Sequence, residues 1–182
     1  MPISIASPRP EARGLAGPLD RLVRRTLASL GLRAGEITLL LAGDPELRAL
    51  NRAWKRRDRA TDVLSWAYPS ATPRPRGRTG IVHGDIAVSL DRVAEQAARF
   101  RCSRGRELAR LVVHGALHLA GLDHHTPPER RAMRTREGAA LRESRDLVSE
   151  LEQRLGGPVR AARTSPPRRR VRSATARLSR RP

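Results

Sequence analysis

Three of the five histidines fall within eleven residues, His114-Gly115-Ala116-Leu117-His118-Leu119-Ala120-Gly121-Leu122-Asp123-His124, spaced H-x3-H-x5-H. No other feature constrains the fold so tightly. His114 and His118 are four residues apart, so on a helix they stand one above the other on one face. Gly121 then lets the chain leave that helix through a left-handed residue. The turn can carry a third imidazole back to the first two. The chain must therefore build a helix, end it at a glycine and fold sharply.

Imidazole is the commonest protein metal ligand and binds through a neutral ring nitrogen. Two nitrogens at this helical spacing can reach one ion at about 2.0–2.1 Å, the zinc distance. A third ligand from His124 leaves the fourth tetrahedral position open, as in catalytic rather than structural zinc sites. His125 follows directly, and a spacing of six through it is also open to the chain. The same spacing occurs in the metzincin proteases, H-E-x-x-H-x-x-G-x-x-H, whose glutamate is the general base. Gly115 stands at that position here and cannot take a proton from water. The metal cage survives and the protease chemistry does not.

A chain of 182 residues fits one domain, expected over residues 1–155, with a tail over 156–182. Its formal charge is +19, from 37 basic and 18 acidic residues, and Lys55 is the one lysine. GC-rich coding explains the preference for arginine over lysine, but not the excess of base over acid. Residues 156–182 hold nine arginines and no acid, which leaves the body at +10. The tail has too little apolar surface to offset its ordering entropy and is expected to be disordered. Such an excess of positive charge attracts polyanions through phosphate contacts and counterion release. Only four aromatics (Trp54, Trp66, Tyr68 and Phe100) are present for base stacking, so backbone contact is the expected mode. Cys102 excludes an internal disulfide framework and is expected to be half-buried, not a ligand. The lack of an apolar run of about 18 residues or of a signal-like N-terminus points to a cytoplasmic protein.

Ile3–Ala6, Glu36–Ala42, Thr61–Tyr68 and Ile81–Leu90 read as strands, the last with a bulge near Gly84. Helices are expected over Pro18–Leu30, from an N-cap at Asp44, over Asp91–Arg101 and over Arg104–Ala120. A final helix starts at the capping box Thr126-Pro127-Pro128-Glu129 and extends to Leu155. The stretch from Pro69 to Gly80, with Arg74, Arg76 and Arg78, reads as a solvated loop rather than an RNA clamp. This order gives an α+β fold, a mixed sheet of about four strands with packed helices. The histidines sit on a helix of the C-terminal half and on the turn after it.

His114 to His124 resembles the H-G-x-L-H-L-x-G-y-D-H signature of the YbeY endoribonucleases, a family of bacterial rRNA maturation factors. Leu50-Asn51, Thr61-Asp62-Val63-Leu64-Ser65, Gly84-Asp85-Ile86 and Met133 with Glu137 follow the family's order at about its spacing, over roughly residues 36–141. The resemblance implies a zinc-dependent endoribonuclease that cuts single-stranded RNA. It implies work on the 3′ end of 16S rRNA and in ribosome quality control, with rRNA and the small ribosomal subunit as partners. It implies one zinc ion on His114, His118 and His124, which resolves the choice against His125. Where the family commonly has an arginine facing RNA phosphate, this chain has Lys55, which keeps the charge but loses the bidentate fork. Trp66-Ala67 replaces an aromatic-proline pair, Ala60 a proline, and His83 an apolar residue. His83 is expected to be a strand histidine without a special role. Asp123 stands next to a ligand, either as a second-layer acceptor for an imidazole or as the base. Two rivals to the nuclease are a metalloprotease and a non-enzymatic RNA- or ribosome-binding assembly factor with a structural zinc.

Overall fold

The structure, a computed structural model, describes residues 3–68 and 80–156. Arg74, Arg76 and Arg78 and the arginine-rich segment 157–182 lie outside the described residues. Four strands form one sheet: β1 (Ser4–Ala6), β2 (Arg33–Ala42), β3 (Val63–Ala67) and β4 (Ile81–Ser89). Their order is β1-β2-β4-β3; β1 and β4 run parallel to β2, and β3 runs antiparallel to β4 at the edge. Among the described residues, six α-helices complete the fold: α1 (Ala16–Ala28), α2 (Asp44–Lys55), α3 (Leu90–Phe100), α4 (Arg104–Leu119), α5 (Pro127–Glu143) and α6 (Arg145–Leu155). The mixed four-stranded α+β architecture matches the expectation from sequence.

Strand alternation divides the apolar residues between two faces. Leu39, Leu41, Ile86 and Val88 join the main core with Leu22 of α1, Leu108, Leu111 and Val112 of α4, and Leu147 and Leu151 of α6. Leu40, Ala42, Leu64 and Ala87 face the other way and meet Leu47 and Leu50 of α2. α4 is thus the central helix of the larger layer, touching β3, β4 and the helices α1, α3, α5 and α6. Two glycines permit its approach. A Cβ on Gly115 would stand 2.8 Å from Ile86 Cγ2, and one on Gly105 would stand 2.5 Å from Glu152 Cα of α6.

Three local expectations are corrected. The N-cap of α2 is Gly43, not Asp44; Glu46 accepts from the Gly43 N–H at 3.0 Å, and Asp44 opens the helix. The bulge near Gly84 places its extra residue on β2, because Ala34 pairs with Val82 and Ile37 with Gly84. His83 stands opposite, and its Nδ1 accepts the Glu36 N–H at 3.1 Å, so this histidine closes the bulge. Finally, the last helix does not continue to Leu155. It breaks at Ser144 (φ −109°, ψ 28°), and α6 turns against α1 and α4.

Candidate metal centre

α4 carries His114 and His118 on one face, as their spacing requires. The helix ends at Leu119, and Gly121 takes φ +89°, a left-handed conformation that costs a glycine no steric penalty. The turn brings His124 back. The three rings form a near-equilateral triangle, with centroids 4.8 Å apart for His114–His118, 5.3 Å for His114–His124 and 5.0 Å for His118–His124. One ligand atom from each lies within 4.8 Å of the others. His114 Nε2 and His118 Nε2 are 3.2 Å apart. Two nitrogens at about 2.05 Å from one tetrahedral zinc would be about 3.3 Å apart, so the pair has the separation zinc requires. His125 stays outside, with its side chain 81% exposed and its Nε2 2.8 Å from Asp123 Oδ2.

The electrostatics favour ligation. The His118 pKa is pushed down to about 4, first by burial and then by the neighbouring His114 and His124. It is therefore neutral at pH 7, with its lone pair available. His114 Nδ1 faces Glu137 Oε2 of α5 at 3.4 Å. A carboxylate there fixes the tautomer that presents Nε2 to a metal and raises its basicity. Glu137 is held in turn by Arg110 at 3.5 Å. Arg110 also bonds the buried Glu107 at 2.6 Å and Gln96 at 3.0 Å. Burial alone would lower the Arg110 pKa, but the Glu107 bond and the Glu137 charge outweigh it and raise it. Gln96 donates to Asp62 Oδ2 at 3.0 Å, which links the Thr61–Ser65 block to the histidines through side chains.

Asp123 does not reach the ligating rings as an acceptor. Its Oδ1 accepts the His124 N–H at 2.8 Å, and its Oδ2 pairs with His125. Its pKa is held below the usual range, chiefly by that backbone N–H. The carboxylate that orients an imidazole is Glu137, 23 residues from His114 in sequence. Lys55 is the last residue of α2, on the opposite face of the sheet from α4, and is exposed. It does not line the cleft beside His114 and His124, whose walls include Arg110, Arg130, Arg134 and Glu137. Arg130 anchors the turn by donating to the His125 carbonyl at 2.8 Å. One signal in the sequence points to these residues. Arg106, Arg110, His114 and His118 recur every four residues, a single row along α4. Cys102 is half-buried, with Sγ 4.0 Å from Glu107 Oε2, and is not part of the triad.

The family model described as Endoribonuclease YbeY matches residues 15–145. A protein named endoribonuclease YbeY from Anaeromyxobacter sp. (strain Fw109-5) is 42% identical over 164 residues, covering 90% of this chain and 82% of that protein. One from Anaeromyxobacter dehalogenans is 38% identical over 155 residues, covering 80% of this chain and 78% of its own length. One from a Roseiflexus species is 48% identical over 111 residues, covering 59% of this chain and 69% of that protein.

Proposed function

Because this chain belongs to the YbeY endoribonuclease family, we propose that it is a metal-dependent endoribonuclease of rRNA maturation, holding one zinc ion on His114, His118 and His124. Its substrate is single-stranded RNA, including the 3′ end of 16S rRNA on the small ribosomal subunit, in ribosome maturation and quality control in the cytoplasm. The observation that carries this reading is the converged triad: three imidazoles within ligand distance of one another, one of them held neutral and one backed by a carboxylate. When bound, zinc supplies Lewis-acid polarisation of a phosphoryl oxygen and a lowered pKa for water. The protein groups do the rest. Glu137 fixes the His114 ring, and Arg110 fixes Glu137. Arg134, exposed on the cleft wall, offers positive charge to the phosphate that gains negative charge in the transition state. Lys55, exposed at the end of α2, offers its charge to a phosphate elsewhere on the strand.

The rivals lose support at identifiable residues. Position 115 packs on Ile86, which leaves no place for a protease's glutamate. A structural zinc uses four protein ligands, and the cluster among the described residues comprises three. The test is cleavage of an unstructured RNA by purified protein, with and without chelator, beside His114→Ala. Cleavage that stops with either change supports the reading. Cleavage that resists chelator and survives the substitution would refute it.

A further inference from the structure

The cleft at the histidines adjoins two further recesses, and the three together are taken as one groove. The cleft shares Arg110 with a second recess, lined by Arg99, Phe100 and Arg106. That recess shares Arg106 and Leu141 with a third, lined by Arg142 and Arg145. The three measure about 340, 510 and 510 Å³ and run in series between α4 and its neighbours. One side is the row Arg106, Arg110 and His114 of α4, and the facing walls come from α3, α5 and α6. The groove therefore ends at the metal ligands.

Its charge is not balanced. Seven arginines and three glutamates line it. Glu107 and Glu137 are spent on Arg110, and Glu152 accepts from Ser103 Oγ at 2.5 Å. Arg99, Arg106, Arg134, Arg142 and Arg145 are all exposed. They make no ion pair among the described residues, although many other arginines of this chain do. Unpaired guanidinium groups along adjoining recesses repel one another, and a polyanion removes that repulsion. Phe100 is 57% exposed in the middle recess, with the Arg99 guanidinium 5.5 Å from its ring centroid. An exposed ring beside a free cation suits an unstacked base next to its phosphate.

We propose that this groove binds single-stranded RNA and leads it to the histidines. Phosphates lie on the unpaired arginines, and one base stacks on Phe100. From Arg106 to His114 the helix rises by about 12 Å, room for about three nucleotides at stacked spacing. The proposal rests on the endoribonuclease reading for its occupant.

The test is fluorescence anisotropy of a labelled unstructured RNA of about twelve nucleotides, with the full chain, from 50 to 200 mM salt. The double variant Arg142→Gln/Arg145→Gln is expected to lose about tenfold in affinity and to lower the log–log salt slope by about 1.4, two single-strand phosphate contacts. Phe100→Ala is expected to weaken binding about fivefold or more with the slope unchanged. Arg13→Gln/Arg33→Gln, with the same change in net charge on exposed residues outside the groove, is expected to stay within about twofold. Circular dichroism verifies that each variant folds. An unaltered affinity and slope in the Arg142/Arg145 variant would overturn the proposal. So would a labelled polyglutamate probe that loses binding in that variant while RNA does not, which would make the groove an acidic-protein site. Chelator-sensitive cleavage with an unaltered slope removes the groove and keeps the nuclease. Groove-dependent binding by a protein that cuts no RNA keeps the groove and removes the nuclease.

Discussion

Glu137→Gln separates metal affinity from stability at this site. The wild-type carboxylate makes two long contacts, 3.4 Å to His114 Nδ1 and 3.5 Å to Arg110 Nη1. Arg110 has a much closer partner in Glu107 at 2.6 Å. Removing the Glu137 charge therefore leaves Arg110 paired, and glutamine keeps an acceptor at this site, so the metal-free protein should lose about 1 kcal/mol, the net worth of one hydrogen bond. The His114 ring, in contrast, loses the carboxylate that fixes its tautomer. Such losses cost about 10–100-fold in metal affinity. The long contact puts the expected effect near tenfold, about 1.4 kcal/mol. Glu107→Ala should behave in the opposite way. Glu107's side chain is only 3% exposed and Arg110's is 33% exposed, so the pair is largely buried. Its loss should cost about 2 kcal/mol, below the roughly 3–5 kcal/mol of a fully buried pair. Zinc affinity is read by competition with a chromophoric chelator, and stability by urea unfolding of the metal-free protein. Wild-type zinc affinity in Glu137→Gln, with weakened zinc binding in a folded Glu107→Ala, would refute the assignment of Glu137 as the orienting carboxylate.

The depressed pKa of His118 predicts acid sensitivity in the metal-free protein. Unfolded histidine titrates near 6.5 and folded His118 near 4, so the unfolded state takes up the extra proton first. The gap between those values is worth about 3 kcal/mol in full, and partial exposure of His118 reduces the expected fall to about 1–2 kcal/mol, levelling off below pH 4; a urea midpoint with the same pH slope in His118→Gln would count against this. Gly84→Ala should be severe. Gly84 has φ +155°, and a Cβ would overlap the Trp66 carbonyl oxygen and stand 2.9 Å from Leu119 Cδ2. A loss of about 3 kcal/mol is expected, a Tm lower by roughly 6–12 °C, and a near-normal melt would show that β3 and β4 part easily. Gly115→Glu should unfold the chain or cost more than about 3 kcal/mol, without producing peptide cleavage; a stable, zinc-dependent protease would contradict the packing at Ile86.

The features legible in the sequence are those set by local periodicity. The apolar run at Ile37–Leu41 and the strand pattern over Ile81–Leu90 match β2 and β4, and the histidine spacing matches a helix followed by a glycine turn. Features set by packing between distant segments were harder to read. An aspartate at the cap and one at the first helical position look alike in sequence, so nothing local distinguishes Gly43 from Asp44 as the cap. The break at Ser144 interrupts a run whose leucines and arginines suit a helix throughout, and only α6's contacts with α1 and α4 account for it. Glu137 reaches His114 because α5 folds back along α4. His83 read as a strand residue of no consequence because its partner, the Glu36 N–H, belongs to a bulge on another strand.

Chemistry and packing converge on α4. The helix is enclosed on several sides: the sheet meets it at Gly115, α6 meets it at Gly105, and α1, α3 and α5 flank it. Each enclosed side takes the residues that close contact permits, which are glycines where backbones or branched side chains approach and leucines or valines elsewhere. Beyond Glu107 one row is left for polar residues, and it is filled by Arg110, His114 and His118. A glutamate after His114 would have to occupy the side already closed by Ile86. The missing protease base is therefore not an isolated substitution that one mutation could restore. It follows from how closely the sheet carries this helix. The same closeness directs the helix's remaining chemistry outward, toward a groove whose charge suits phosphate.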